Sequence, residues 1–225
     1  MKYIHLYALF LMSFFYTSCG GENKTDPPKE NIKSETKDIV TSSGPNEHNI
    51  YTKYEYTDSD GKSIIIQNSF PRGGPYTGST GKNSNYSFLI FFTRIINETA
   101  TPLELTINFP ADSFATGEGG NVYLKLFLPP DTMTRDKESL SNYGITGLES
   151  CLDFNKPTMF QRTINPKEEC LFYIGSVFYQ ARGTAWKDES RGGNRAELVL
   201  KGQDLFYRMI PQIDSLPCGH IIFKK

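Results

Sequence analysis

Between residues 103 and 109 the chain reads Leu-Glu-Leu-Thr-Ile-Asn-Phe, with every second side chain apolar. In an extended chain, Leu103, Leu105, Ile107 and Phe109 fall on one face and Glu104, Thr106 and Asn108 on the other. The same period of two returns in Val122, Leu124, Leu126 and Leu128. Pro129-Pro130 stops it, because proline has no N–H to give to a ladder. No long apolar stripe of helical period occurs anywhere in the chain. A sequence patterned in this way is constrained to sheets that bury one face against a core.

Other segments extend the pattern. Tyr51–Tyr56 and Ser63–Gln67 flank Asp58-Ser-Asp-Gly61, where Asp-Gly is a strong hairpin-turn signal. Pro71–Gly81 is a loop by composition. Tyr86–Ile96 (YSFLIFFTRII) is apolar on both alternating faces, as expected of a central strand covered on two sides. Asn97–Pro102 supplies the turn to the 103–109 strand. Residues 131–150 read as a polar loop with at most one short helix, around Arg135–Leu140. Leu171–Tyr179, Ala196–Leu200, Leu205–Met209 and His220–Phe223 complete the set. About eight to ten short strands predict an all-β fold, a single antiparallel sandwich. The strand–Asn-x-Thr–Pro–strand unit around Asn97 resembles the opening of Ig-like sandwich domains common in exported bacterial proteins, which implies an Ig-like fold.

The N-terminus reads as an export signal. Lys2 provides a positive start, and Leu6–Tyr16 is an apolar run of eleven residues, too short for the roughly 20 residues that span a bilayer. Phe15-Tyr-Thr-Ser-Cys19 resembles the relaxed lipobox of bacterial lipoproteins, where signal peptidase II cleaves before a diacylated cysteine. Phe15 and Tyr16 depart from it, since the common pattern prefers Leu and a small residue there. The resemblance implies that residues 1–18 are removed and that Cys19 becomes the lipidated first residue, anchored in a membrane. Gly20 follows Cys19 in place of an inner-membrane-retaining Asp, which implies the outer membrane. Residues 19–49 are polar, with only Ile32, Ile39 and Val40 as sizeable apolar side chains, and read as a disordered tether. Residues 50–225, about 175 in all, make up the domain.

Charge and histidine content exclude several functions. With 24 Lys+Arg against 25 Asp+Glu, nothing in the bulk charge attracts nucleic acid. Of three histidines, only His220 lies beyond the signal and tether, so a multi-histidine metal site is not expected. Cys218 and His220 lie two apart, on one face if that segment is a regular strand. An exported chain favours a disulfide over zinc. Among Cys151, Cys170 and Cys218 three pairings exist, of which Cys151–Cys170 closes the shortest loop. Gly78–Lys82 lacks the spacing of a phosphate-binding loop. Asp58 and Asp60 lack the later ligands of a calcium loop. Glu168 and Glu169 read as solvated charges. No catalytic residues and no cofactor are assigned.

The richest loop is Ala181–Arg195, which holds the only tryptophan among charges and glycines. Trp186 with Arg182 and Arg191 forms the candidate ligand-binding set, suited to a glycan, a peptide or an acidic group, so that the expected partner is a glycan or a protein. The expectation is a lipid-anchored envelope protein whose sandwich binds or scaffolds. A hydrolase of extracellular polymers and a purely structural component are the alternatives.

Overall fold

The computed structural model describes residues 34–39, 48–58, 60–76, 86–116, 122–148, 153, 155–180, 195–210 and 213–224. Trp186, Arg182, Arg191, Cys19 and Cys151 lie outside these, as does the 78–82 loop. The strands run β1 (Ser34–Ile39), β2 (Ile50–Thr57), β3 (Ser63–Ser69), β4 (Arg72–Pro75), β5 (Tyr86–Asn97), β6 (Leu103–Phe109), β7 (Phe114–Thr116), β8 (Val122–Phe127), β9 (Thr158–Ile164), β10 (Glu169–Gln180), β11 (Arg195–Lys201), β12 (Asp204–Ile210) and β13 (Ile213–Phe223). They form two antiparallel sheets. The larger is ordered β1-β2-β3-β5-β10-β8-β7, with β4 beside β5; the smaller is ordered β11-β12-β13-β6-β9. The all-β sandwich expected from the alternation is the fold.

Four of these strands escape the sequence pattern. β1 lies within the segment read as tether, yet it pairs with β2 from Ser34–Thr57 to Ile39–Thr52. An edge strand is held by its backbone ladder, so polar composition does not reveal it. β4 lies in the stretch read as loop and pairs with β5 through Arg72–Pro75. β7 is only three residues long. β9 breaks its own alternation at Arg162, which takes an inward position opposite Leu105.

The sheets pack through the faces the sequence marks as apolar. Leu103, Leu105, Ile107 and Phe109 of β6 meet Ile64, Ile66, Phe91, Leu124, Phe172 and Ile174 in one buried cluster. Each such side chain contributes about 1.5–3 kcal/mol on burial. The double-faced pattern of β5 has a second cause. Ile90 and Phe92 point away from the smaller sheet into another cluster with Phe127, Met133, Tyr143, Ile145 and Tyr173. The cover on that side is the segment after β8, where two 3-10 turns (Arg135–Lys137 and Ser141–Gly144) stand in place of the single short helix expected. Tyr143 pins the cover, its hydroxyl donating to Phe70 O at 2.6 Å and its ring 4.9 Å from Phe92.

The hairpin between β2 and β3 forms as expected, and the Asp58 carboxylate is occupied by it. Its Oδ1 accepts from the backbone N–H groups of Asp60 (2.9 Å) and Lys62 (2.8 Å), while Gly61 takes the left-handed conformation, φ +73°. The turn after β5 does more than reverse the chain, since it carries it from the larger sheet to the smaller one. Asn97, fully buried, organises that corner. Its Nδ2 donates to Thr101 O and Ile164 O, both at 2.9 Å, and its Oδ1 accepts from Thr99 N and Oγ1.

The outer edge of β11 is buried and sealed by polar groups from the facing sheet. Asn68 Oδ1 accepts from Leu198 N at 2.9 Å, and Nδ2 donates to Leu198 O at 3.2 Å. Tyr56 Oη accepts from Leu200 N at 2.8 Å, and Tyr54 donates to Glu197 at 2.6 Å. Side chains thus satisfy backbone groups that an edge strand otherwise offers to another chain. Two buried groups are left out: Gln67 Oε1 and the Tyr207 hydroxyl have no hydrogen-bond partner among the described residues. Tyr207→Phe keeps the edge-on contact with Phe109 at 5.7 Å and removes an unsatisfied donor. It is expected to leave stability unchanged or raise it by about 1 kcal/mol in urea unfolding, and a loss above that size would refute the assignment.

Candidate functional site

Pro129-Pro130 ends β8 early, and this local event shapes a cleft beside β10. β8 pairs with β10 only from Gly175 to Gln180. Beyond Leu128 the chain turns outward to join the cover, leaving the first half of β10 without a strand on that side among the described residues. The gap is a cleft of about 700 Å³ between β10, β9 and residues 128–135. Its size falls in the usual range for ligand sites. Phe160 and Phe172, with stacked rings 5.3 Å apart, form part of the wall, and the exposed Met159 stands at the rim.

The charges in and beside the cleft differ in their partners. Glu169 is held from two sides: Arg94 Nε donates to its Oε2 at 2.8 Å, and Arg135 donates to both carboxylate oxygens. The Arg135 hydrogen bond, supported by Arg94 and opposed by partial burial, keeps its carboxyl below the usual range. Glu169 is therefore not the free solvated charge the sequence suggested. Beside this cluster, burial raises the Glu138 carboxyl above its ordinary value, with Arg94 and Arg135 opposing. Arg162 has no ion-pair partner among the described residues.

Cys170 lies at the cleft, 6% exposed, and is a free thiol. The sequence favoured a bridge to Cys151; the described half of that pair carries none. Burial pushes the Cys170 thiol up to about 11, with Arg162 pulling weakly the other way, so it stays protonated and poorly nucleophilic at neutral pH. Cys218 is also free, donates to Leu205 O at 3.5 Å, and is pushed to about 12 by burial.

The expectation that Cys218 and His220 share a face fails. The β12–β13 register slips between Leu205–Gly219 and Phe206–Pro217, leaving Cys218 as the extra residue of a bulge. Cys218 turns into the core, while His220 pairs with Thr106 on the opposite face. Among the described residues, no group of three or more His, Cys, Asp or Glu could hold a metal ion.

The structure thus draws attention to a different set from Trp186, Arg182 and Arg191, which lie outside the described residues. The chain leaves for that loop from Gln180 and returns at Arg195, whose guanidinium sits 5.1 Å from the Tyr51 ring centre. Phe160, Arg162 and Cys170 were not recognised as a group from sequence. The signal present was a β-branched and aromatic run, Thr158–Ile164, bounded by Pro157 and by Asn165-Pro166. No protein-family model matches the chain, and no curated protein and no solved structure matches it. The fold and site define an antiparallel β-sandwich with a lateral notch.

Proposed function

We propose that this chain is a lipid-anchored protein of the bacterial cell envelope, held through Cys19 at the outer membrane, whose sandwich is a non-enzymatic binding module. The notch between β9 and β10 is its ligand site. The observation that carries the binding reading is the cleft itself, about 700 Å³, with aromatic walls and an arginine that has no ionic partner among the described residues. The buried, protonated thiol of Cys170 argues against a cysteine nucleophile there. Two packed antiparallel sheets are compatible with an Ig-like relation, and such sandwiches serve as rigid supports for binding sites.

The anchor rests on residues 1–19 and on the polar stretch that follows. Strand β1 lies within the stretch read as tether. Cys19 lies 15 positions before Ser34, the first residue of β1. Expression in a diderm bacterium, followed by detergent phase partition and mass measurement, tests this. The mature protein is expected to start at acylated Cys19, with Cys19→Ala shifting it to the soluble fraction. An unacylated N-terminus would overturn the anchor.

One observation favours a hydrolase instead. Glu138 and Glu169 are neighbouring carboxyls pushed in opposite directions, the pattern of an acid–base pair. Polymer hydrolysis lost in Glu138→Gln with an unchanged melting temperature would establish that alternative.

A further inference from the structure

Among the described residues, the ladder of β10 is complete on one side and half built on the other. β5 pairs with it from Glu169 to Tyr179, whereas β8 pairs only with its second half. Glu169–Tyr173 line the cleft and give about 17 Å of edge, at 3.3–3.4 Å per residue, that no strand pairs with among the described residues. The facing wall, β9, is itself the last strand of the smaller sheet. Open edges of this kind are templates for an added strand.

We propose that an extended acidic peptide adds to β10 in this notch, taking the place in the larger sheet that β8 gives up, with one of its carboxylates on Arg162. The proposal rests on the binding-module reading and names its ligand class. Alternate side chains of an added strand point to opposite faces. One set meets Phe160, Phe172 and Arg162; the other meets Arg135 and Tyr173. The charged residues lining the cleft are Asp131, Arg135, Arg162 and Glu169, and an acidic ligand is the one that Arg162 would pair with. Glu169 is already neutralised by Arg94 and Arg135, whereas Arg162 points into the cleft with no carboxylate of its own among the described residues. An inward arginine on an edge strand also discourages a purely apolar strand from pairing there. A guanidinium–carboxylate pair, able to form two parallel hydrogen bonds, converts that penalty into selectivity.

The test uses the full chain and a labelled ten-residue peptide alternating valine and glutamate, read by fluorescence anisotropy. Three comparison probes are used: the peptide with glutamine for glutamate, the peptide with alternate backbone amides N-methylated, and an anionic oligogalacturonate. The expected result is saturable binding of the parent peptide. Glutamine replacement or Arg162→Ala should weaken it about tenfold or more, Arg162→Lys should restore part, and N-methylation should abolish it. Melting temperatures of the Arg162 variants confirm that they fold. Equal binding of the N-methylated peptide would remove the added strand, and equal binding by Arg162→Ala would remove the site. Oligogalacturonate binding that depends on Arg162, without peptide binding, would overturn the peptide ligand while leaving the binding module standing. Failure of every probe would overturn the proposal and count against the module; the Cys19 assay is independent of both.

Discussion

Replacing Asn68 by alanine is expected to cost about 3–5 kcal/mol, a large share of the 5–15 kcal/mol that holds a typical domain together. Asn68 projects from β3 across the sandwich and is 2% exposed. Its amide matches both backbone groups of Leu198, accepting from N and donating to O, and it also takes a hydrogen bond from Thr93 at 3.2 Å. Alanine leaves the Leu198 N–H and C=O without these partners in a core that water does not reach. An unsatisfied buried group costs about 1–3 kcal/mol, and here at least two are created together. Asn68→Asp tests the mechanism more sharply. It can still accept from Leu198 N but cannot donate to Leu198 O, and it brings a charge into the core. The midpoint of urea unfolding should fall strongly for both variants. A change below 1 kcal/mol in Asn68→Ala would mean that the clasp does not hold the sheets together.

Gly219→Ala is expected to be among the most damaging single-methyl changes at the described residues, costing on the order of 4 kcal/mol or preventing folding. Gly219 follows the Cys218 bulge in β13 and sits with φ +156°, against β6. A Cβ built there lies 1.9 Å from Thr106 O and 3.0 Å from Ile107 Cα. Both are backbone atoms of a strand paired on its two sides, so neither gives way cheaply. Gly202→Ala is the control. That glycine, at φ +64° in the turn between β11 and β12, has nothing within 4 Å of the built Cβ. Its substitution should cost only the left-handed backbone penalty, about 1 kcal/mol. Soluble yield and melting temperature of the two variants should separate widely. If they melt within a few degrees of each other, the close approach of β13 to β6 is wrong.

Much of the sandwich was legible because its core strands carry their burial in their spelling. Leu103–Phe109 alternates, lies where it was expected, and buries the four residues that the pattern selects. Tyr86–Ile96 announced a strand covered on both sides, and both clusters touch it. The strands that were missed are held by backbone pairing, or carry a residue of the wrong class at an inward position. Composition cannot report β1, since a ladder at an edge is indifferent to side-chain polarity. Arg162 hid β9 by interrupting its period, and it is also one of the charged residues lining the notch. The cleft was invisible for a related reason. Pro129-Pro130 told where β8 ends, but not that β10 continues for six residues beyond it.

Alternation and turn residues by themselves determined that this chain forms antiparallel sheets, and which faces of the main strands are buried. Those properties depend on neighbours two residues away. The apolar segment before Cys19 likewise carries its whole argument in sequence. Tertiary structure decided everything that joins residues distant along the chain. It placed Asn68 on Leu198, turned Cys218 inward at a bulge while His220 stayed outside, and set β9 opposite the open half of β10. A period of two fixes which face a side chain takes, whereas strand order and the point where pairing stops fix what that face meets.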